Sequence, residues 1–276
     1  MDSRLQRRVQ RYGWDLAAAV YEPLWQPQLA GAHARLLARA SLAPVERVLD
    51  VACGTGLVAF AAADAVGPEG RVVGVDLSGR MVDAARRRAQ ERGVRHATFA
   101  RMDAERLDLP DATFDVALCA LGLMYVPDPV QALREMRRVL RPGGRVVLAV
   151  WGERSRCGWS AVFPIVEAEV ATEVCPLFFG LGQHDALARL CADAGFVGID
   201  ERRIAATLDY TDADDACNAA LLGGPVALAW SRFDDDVRAR VRGRYVEAIG
   251  EWRHDQGYRV PGEFVVVAAT APRAIG

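Results

Sequence analysis

The chain has 276 residues, of which 51% are apolar, and it carries a formal net charge of −2. This length accommodates one α/β domain with insertions around a sizeable core. The small net charge gives no indication of a nucleic acid or an anionic membrane as partner. All 34 basic residues are arginine, so a mechanism that uses a lysine Schiff base or a lysine general base is excluded.

None of the six cysteines belongs to a Cys-x-x-Cys pair, and the four histidines are scattered along the chain. This distribution argues against a metal site and a disulfide framework, and it favours a cytoplasmic location. The N-terminal residues carry charges throughout and lack the apolar core of a secretory leader. The longest apolar run, Val116–Val126, is too short to span a bilayer. We therefore expect a cytoplasmic monomer or homodimer that binds neither membrane nor nucleic acid.

Strands and helices alternate from about residue 45. This alternation predicts an α/β fold, a Rossmann-like sheet of mostly parallel strands with helices on both faces. Ser78 is expected to cap the second of the helices. The predicted strands are Arg47–Val51, Arg71–Val75, His96–Arg101, Phe114–Cys119 and Arg145–Val150, and the predicted helices are Leu57–Val66, Arg80–Arg92 and Asp128 or Pro129 to Leu140.

The second half is less regular, and two further strands bring the predicted sheet to seven. Because neither an internal repeat nor a low-complexity linker interrupts the chain, we expect one domain. Its parts are a helical arm (1–44), a cofactor-binding core (45–151), helical cap insertions (152–182 and 211–262) and a last strand (263–270). The predicted elements are the helices Trp159–Val174, Asp185–Ala194, Ala213–Leu222 and Asp234–Trp252, and the strands Val197–Leu208 and Glu263–Thr270.

The stretch Val48–Gly56 runs from a strand into a turn with two glycines and then into a helix. Glycines let the backbone approach a ligand closely, and a helix N-terminus presents free N–H groups. Together with Ala59 the turn also matches the dinucleotide fingerprint G-x-G-x-x-A. Asp76 ends the next predicted strand, where a carboxylate can accept hydrogen bonds from both hydroxyls of a ribose. The pattern therefore predicts an adenosine-containing cofactor.

Two further acids distinguish between cofactors. Asp50 stands four residues before the first glycine of the turn. A carboxylate there repels a pyrophosphate but suits a ligand with an ammonium and a sulfonium, such as S-adenosylmethionine. Asp103 follows the third strand in Met102-Asp103-Ala104, and its carboxylate can accept a hydrogen bond from an exocyclic amine of adenine.

With these motifs, residues 45–151 resemble class I S-adenosylmethionine-dependent methyltransferases, especially the ubiquinone/menaquinone-biosynthesis-like group. The resemblance rests on Val48–Gly56, on Gly74–Ser78 with Met81, on Met102–Ala104 and on the Leu140–Gly144 stop. It implies methyl transfer to a small molecule, with S-adenosylhomocysteine as product. It also implies a set of cofactor-binding residues: Asp50, Ala52, Gly54, Gly56, Asp76, Leu77, Met81, Asp103, Ala104 and Leu121.

In this set, the resemblance assigns the two glycines to the methionine moiety and Asp76 to the ribose. It assigns Leu77 and Met81 to the faces of the adenine, Asp103 to its amino group, and Leu121 to a position over the ligand. The last two strands of such proteins usually form a tight hairpin. Here roughly fifty residues interrupt it, which leaves the site for the methyl acceptor undefined.

The acceptor should bind outside the carboxyl ends of the strands, beneath a roof formed by the two insertions. An aromatic wall there suits a flat or apolar metabolite, such as one of secondary metabolism. The same rings can instead simply pack the insertions on the sheet. The candidate wall residues are Tyr21, Met124, Tyr125, Trp151, Trp159, Phe163, Phe179 and Trp230.

In-line methyl transfer needs alignment and exclusion of water more than it needs an acid or a base. His184, beside Asp185 at a helix start, is the best candidate for a catalytic base, with a capping or surface role as the alternative. The N-terminal arm is expected to close over the cofactor as a lid. Two other functions stay open. One is a family member that keeps the cofactor without methylating anything. The other is an NAD-linked oxidoreductase, although the positions of Asp50 and Asp103 argue against it.

Overall fold

The computed structural model describes residues 3–170 and 178–273. Two helices, α1 (Ser3–Ala17) and α2 (Tyr21–Ala40), precede the sheet. The two helices differ in burial, because α1 buries only Ala17 whereas α2 buries Trp25, Leu29, Leu36 and three further residues. The predicted arm therefore consists of an outer helix and a helix that belongs to the core.

The first half of the sheet alternates strand and helix as predicted. The predicted helix Leu57–Val66 has the same bounds in the structure, and Ser78 caps its helix by accepting a hydrogen bond from the Met81 amide. The elements are β1 (Arg47–Val51), α3 (Leu57–Val66), β2 (Arg71–Asp76), α4 (Gly79–Glu91), β3 (Ala97–Arg101), β4 (Phe114–Ala120), α5 (Pro129–Val139) and β5 (Leu140–Trp151).

In the second half, the predicted helix Trp159–Val174 begins as a 3-10 turn, Gly158–Ala161, before the α-helix, and residues 171–174 lie outside the described part. The helix predicted at Asp234–Trp252 ends at Ala248 and continues as a 3-10 turn. The elements are α6 (Val162–Val170), α7 (Ala186–Asp193), β6 (Val197–Tyr210), α8 (Ala213–Leu221), α9 (Ala227–Trp230), α10 (Asp235–Ala248), β7 (Arg253–His254) and β8 (Gly257–Thr270).

The last strand is longer than predicted. It begins at Gly257, so the expectation that the cap insertion extends to residue 262 is wrong. Tyr258 and Val260 are buried while Arg259 is exposed, which is the period of two that a half-buried strand shows. Pro261 hid this signal in the sequence, because proline is uncommon inside strands.

The strand order is β3-β2-β1-β4-β5-β8-β6, with the short β7 paired to β8. The strands β1 to β5 pair in parallel, and β8 lies antiparallel between β5 and β6. This confirms the predicted seven-stranded, mostly parallel sheet and adds one short strand. The order in which the strands are added reverses between β1 and β4, because β2 and β3 lie on one side of β1 whereas β4 and β5 lie on the other. Such a switch point is where α/β sheets bind their ligands.

The sheet separates two apolar clusters. The cluster beneath α3 and α4 holds two buried aromatic rings, those of Phe60 and Phe99. The opposite cluster packs α2, α5 and the second-half helices, and it holds the buried tryptophans. Among the described residues, no helix has both the length and the apolar composition needed to cross a bilayer.

Candidate active site

The turn between β1 and α3 places two glycines in different roles. Gly54 and Gly56 have φ values of 53° and 91°, in the left-handed region that favours glycine. A Cβ atom on Gly56 would stand 2.7 Å from Cε2 of Phe60, so this glycine lets α3 pack closely. A Cβ on Gly54 would have Tyr21 Cε1 as its nearest neighbour, at 3.9 Å. Gly54 therefore keeps the space above the turn open.

The carboxylate of Asp76 is fixed at the end of β2 by two backbone donors. The Gly54 amide donates to Oδ2 at 2.9 Å, and the Ser78 amide donates to Oδ1 at 2.8 Å. Burial raises the pKa of Asp76 to about 6, although the two amides oppose the rise. Because a carboxylate oxygen can accept two hydrogen bonds, each oxygen keeps the capacity to accept one more, as from a diol.

Asp50 lies within β1 with 1% of its surface exposed. Neither of its carboxylate oxygens has a hydrogen-bond partner in the described chain. Burial raises the pKa of Asp50 to about 8, and the charge of Asp76 adds to the rise. With this pKa the buried and unpartnered Asp50 is mostly protonated at neutral pH, and a cation nearby would favour its ionised form.

A cleft of about 790 Å³, open to solvent, lies over the ends of β1, β2 and β4. Two of its wall residues, Ala52 and Leu121, adopt left-handed backbone conformations with φ of 56° and 59°, a kind of strain that clusters at binding sites. Of the residues predicted to bind a cofactor, Asp50 and Gly56 lie outside the lining. Those that line the cleft are Ala52, Gly54, Asp76, Leu77, Met81, Asp103, Ala104 and Leu121.

Helix α1 forms one wall of this cleft. The Ser78 hydroxyl donates to Asp15 Oδ1 at 2.6 Å, and the Arg7 guanidinium lies 3.1 Å from Asp103 Oδ2. Arg7, Gln10 and Trp14 all line the cleft. The sequence analysis placed the N-terminal arm over the cofactor but named none of these three residues, although their spacing of three and four residues places them on one helical face. That spacing was the signal available.

A second space adjoins the cleft, with an empty volume of about 290 Å³ that includes solvent at its mouth. Trp14, Tyr21, Leu121 and Tyr125 line both spaces and so form the wall between them. We call the second space the aromatic cavity. Its other lining residues are Trp25, Leu29, Met124, Trp151, Trp159, Phe178, Gly224 and Pro225.

The aromatic cavity includes five of the predicted acceptor residues: Tyr21, Met124, Tyr125, Trp151 and Trp159. Phe163, Phe179 and Trp230 line neither space, which corrects the expectation that they wall the site.

These three rings instead pack against other aromatic rings within the inserted segments. Phe163 and Phe179 stand behind Trp159, with ring centroids 5.6 Å and 5.9 Å from it. Trp230 packs on Phe233 at 6.3 Å.

His184, the candidate base, lies away from both cavities. Its side chain is 81% exposed, and its Nδ1 atom is 3.9 Å from a Glu153 oxygen. Its carbonyl accepts a hydrogen bond from Arg203 on β6, which holds the turn at the outer part of the sheet. The exposed position agrees with the surface role given as the alternative for His184, and not with that of a catalytic base. Among the residues that the structure describes, no group of three or more His, Cys, Asp or Glu could hold a metal ion.

The doubly wound sheet and its cleft define a Rossmann-like domain of the methyltransferase type. Residues 48–144 match the family described as methyltransferase domain. The chain is 39% identical to demethylmenaquinone methyltransferase of Anoxybacillus flavithermus over 117 residues, which are 42% of this chain and 49% of that protein. It is 34% identical to aklanonic acid methyltransferase DauC of Streptomyces sp. strain C5, over 52% of this chain and 66% of that protein.

The fold itself resembles the crystal structure of the [4+2]-cyclase SpnF, with a TM-score of 0.62 and 23% identity over 91% of this chain and 83% of that one. The chain spans about half the length of the demethylmenaquinone methyltransferases that it matches. Residues 48–144 are thus similar to the methyltransferase domain family, and the resemblance to the demethylmenaquinone methyltransferases covers 42% of the chain.

Proposed function

We propose that this protein transfers a methyl group from S-adenosylmethionine to a small aromatic or apolar metabolite. The observation that carries the proposal is the wall of four side chains common to the cleft and the aromatic cavity. A donor in the cleft and an acceptor in the aromatic cavity would meet at this wall. The names of two relatives, which act on demethylmenaquinone and aklanonic acid, agree with an acceptor of this kind.

The residues of the cleft suit the parts of the cofactor. Asp76 has acceptor capacity for the two ribose hydroxyls, and Leu77 and Met81 offer apolar faces for an adenine. Asp103 can accept from the exocyclic amine, and Ala52 and Gly54 leave room for the methionine moiety beside Leu121. Gly56 contributes through the packing of α3, as its contact with Phe60 indicates.

Asp50 suits the charge of the same cofactor. An unpaired carboxylate inside the sheet is unfavourable by itself, and a cation placed at the nearby turn would offset that cost. Bound there, S-adenosylmethionine supplies a methyl group that its sulfonium has already activated. Asp50 would act through its charge, because it lies outside the cleft lining.

Tyr21 occupies the wall between the two spaces. Burial and the charges of Asp76 and Asp50 raise its pKa far above the usual range, so its phenol stays protonated and is a hydrogen-bond donor rather than a base. We therefore propose that the chain works by positioning its ligands and excluding water.

Further, we propose that the chain acts as a single domain, monomeric or homodimeric, in the cytoplasm.

The test has two parts. Calorimetry should detect S-adenosylhomocysteine binding to the purified protein, and labelled S-adenosylmethionine should transfer its methyl group to a member of a panel of uncharged aromatic phenols and ketones. Tight binding of NADH with no binding of S-adenosylhomocysteine would replace the proposal with an oxidoreductase.

A second candidate is a member of this fold that binds the cofactor but catalyses another reaction. The specific observation in its favour is the fold likeness to the [4+2]-cyclase SpnF. A protein of this kind would bind S-adenosylmethionine and convert the acceptor without forming S-adenosylhomocysteine, so analysis of both products separates the two functions.

A further inference from the structure

Two of the residues that line the aromatic cavity carry hydrogen-bond donors that nothing in the described chain satisfies. The indole N–H groups of Trp25 and Trp159 are buried and have no hydrogen-bond partner among the described residues. Trp25 is 4% exposed and Trp159 is 0% exposed, and both line the cavity. Leaving a buried donor unsatisfied is unfavourable, so two of them around one cavity call for an explanation.

The two indoles belong to one cluster of rings. Trp159 packs on Trp25 and on Trp151, with centroid distances of 5.6 Å and 4.9 Å. These contacts fix the planes of the rings and therefore the directions of the N–H bonds. Donors held in this way are preorganised for an occupant of the cavity.

Space is kept open beside one of these donors. A Cβ atom on Gly223 would stand 3.0 Å from Nε1 of Trp25, so the side chain of any other residue would crowd the N–H group. The next two residues, Gly224 and Pro225, line the cavity. The turn after α8, which contains Gly223 and Gly224, therefore lets the N–H edge of the Trp25 indole stay close to the cavity.

The side chains around the aromatic cavity restrict the chemistry of its occupant. None of the described lining residues carries a charge, so neither an ammonium nor a phosphate would find an oppositely charged partner there. The polar groups of the lining side chains are four indole N–H groups and two phenols. This lining is rich in donors, and it suits a ligand that presents uncharged acceptor oxygens.

We propose that Trp25 and Trp159 select an acceptor molecule with a carbonyl oxygen, which accepts hydrogen bonds from their indole N–H groups while its ring stacks on the surrounding aromatics. This inference rests on the proposed function and specifies the substrate class of the same site. An alternative occupant is an organic ammonium held against the faces of the rings. That mode of binding would leave both N–H groups unsatisfied.

The experiment uses three ring compounds of similar size: 1-tetralone, which has a carbonyl, tetralin, which lacks it, and 1-aminotetralin, which is an ammonium at neutral pH. Each is titrated into the full-length protein saturated with S-adenosylhomocysteine. We expect 1-tetralone to bind about 3- to 10-fold more tightly than tetralin, the factor that one net hydrogen bond supplies. Equal affinities, or tightest binding of 1-aminotetralin, would overturn the proposal.

Tryptophan substitutions test whether the two indole N–H groups cause the preference for 1-tetralone. The double variant Trp25→Phe/Trp159→Phe keeps an aromatic ring at both positions but removes both N–H groups, so its preference for 1-tetralone should disappear. The matched control is Trp230→Phe, which removes an indole that lies outside both cavities and should leave the preference unchanged. A preference that survives in the double variant would contradict the assignment.

A spectroscopic measurement on the unaltered protein avoids any effect of the substitutions on folding. The chain has six tryptophans, so ¹⁵N-labelled indoles give six N–H signals. Addition of 1-tetralone should move the Trp25 or Trp159 signal downfield, and tetralin should not. If neither signal moves, the proposal fails. Because cofactor binding is measured separately, failure to bind S-adenosylhomocysteine would defeat the proposed function, whereas loss of carbonyl preference alone would defeat only this inference.

Discussion

Trp14 on α1 and Tyr125 beyond β4 meet edge to face, with ring centroids 5.1 Å apart and planes at 83°. The contact lies in the wall common to the cleft and the aromatic cavity. Two polar contacts, Asp15 with Ser78 and Arg7 with Asp103, hold the same helix against the cleft. One exposed helix thus bounds both spaces, and its removal should affect both ligands.

Deletion of residues 1–17 should abolish turnover and leave the sheet folded, because α1 contributes a wall of the cleft but only one buried residue to the fold. Deletion through residue 28 should instead impair folding, since it removes Trp25 and Gln28, which are buried. Circular dichroism melts and formation of S-adenosylhomocysteine distinguish the two truncations. Full activity after deletion of residues 1–17 would refute the role of α1 as a lid.

Asp76→Ala should weaken the binding of S-adenosylhomocysteine by one to several kcal/mol, about 10-fold or more, because the carboxylate would lose charge-assisted hydrogen bonds to the ribose. Asp83→Ala on α4 is the matched control, since that side chain is 61% exposed and pairs with Arg86 on its own helix. Calorimetry measures both variants. Equal affinities in Asp76→Ala and in the unaltered protein would remove Asp76 from the site.

The two glycines of the β1–α3 turn should separate stability from binding. Gly56→Ala should lower the free energy of unfolding by about 1–3 kcal/mol, because the new methyl would overlap Phe60 in a left-handed conformation. Gly54→Ala carries the backbone strain alone, and its methyl would enter the cleft, so cofactor affinity should fall more than stability. Urea titration and calorimetry on both variants provide the comparison, and the reverse ranking would contradict it.

The raised pKa of Asp50 predicts how stability depends on pH. The folded protein holds this proton with a pKa of about 8, against an ordinary value of 3.8, so the contribution of Asp50 to stability is present at low pH. It is lost as the pH rises from about 4 toward 8, with a slope of at most about 1.4 kcal/mol per pH unit. Asp50→Asn should flatten this part of the profile in urea titrations. An unchanged slope would mean that Asp50 is already ionised in the folded protein.

Cofactor binding should show the opposite trend at Asp50. A bound cation favours the ionised carboxylate, so affinity should rise with pH up to about 8, and binding should release a proton. The heat of binding measured in buffers of different ionisation enthalpy counts the protons released. Asp50→Asn should release fewer protons than the unaltered protein, and an identical count in both would oppose the role given to Asp50.

Trp159→Ala should lower the free energy of unfolding by about 3–5 kcal/mol, the usual result of emptying a buried tryptophan site. The ring is fully buried and contacts Trp25, Trp151 and three phenylalanines. The control is Tyr12→Ala, at a position that is 47% exposed, which should change stability by no more than about 0.5 kcal/mol. A loss below 1 kcal/mol for Trp159→Ala would show that the aromatic cluster packs loosely.

Eight of the ten residues predicted to bind the cofactor line the cleft, because this part of the predicted site is local. Gly54 and Asp76 sit at the ends of consecutive strands, and a parallel sheet brings such ends together without any knowledge of distant contacts. The acceptor wall was harder to predict. Trp25 and Trp151 are distant in sequence but their rings pack together beside the aromatic cavity. Phe163 and Trp230 are also aromatic residues of the second half, yet they line neither space. The sequence identifies these aromatic residues as candidates for burial, but it does not show which neighbours each ring will contact.

The distribution of rings across the sheet has a consequence for how such a protein can change. Phe60 and Phe99 support the glycine turn from one face, whereas the aromatic cavity is built on the other. Substitutions that reshape the cavity are therefore separated from the turn by a layer of strands, and their free energies should add to those of substitutions beneath α3. Substitutions away from the four residues common to both spaces can thus alter what the cavity would accept while the glycine turn keeps its packing. Only the common wall would couple recognition of an acceptor to binding of the cofactor.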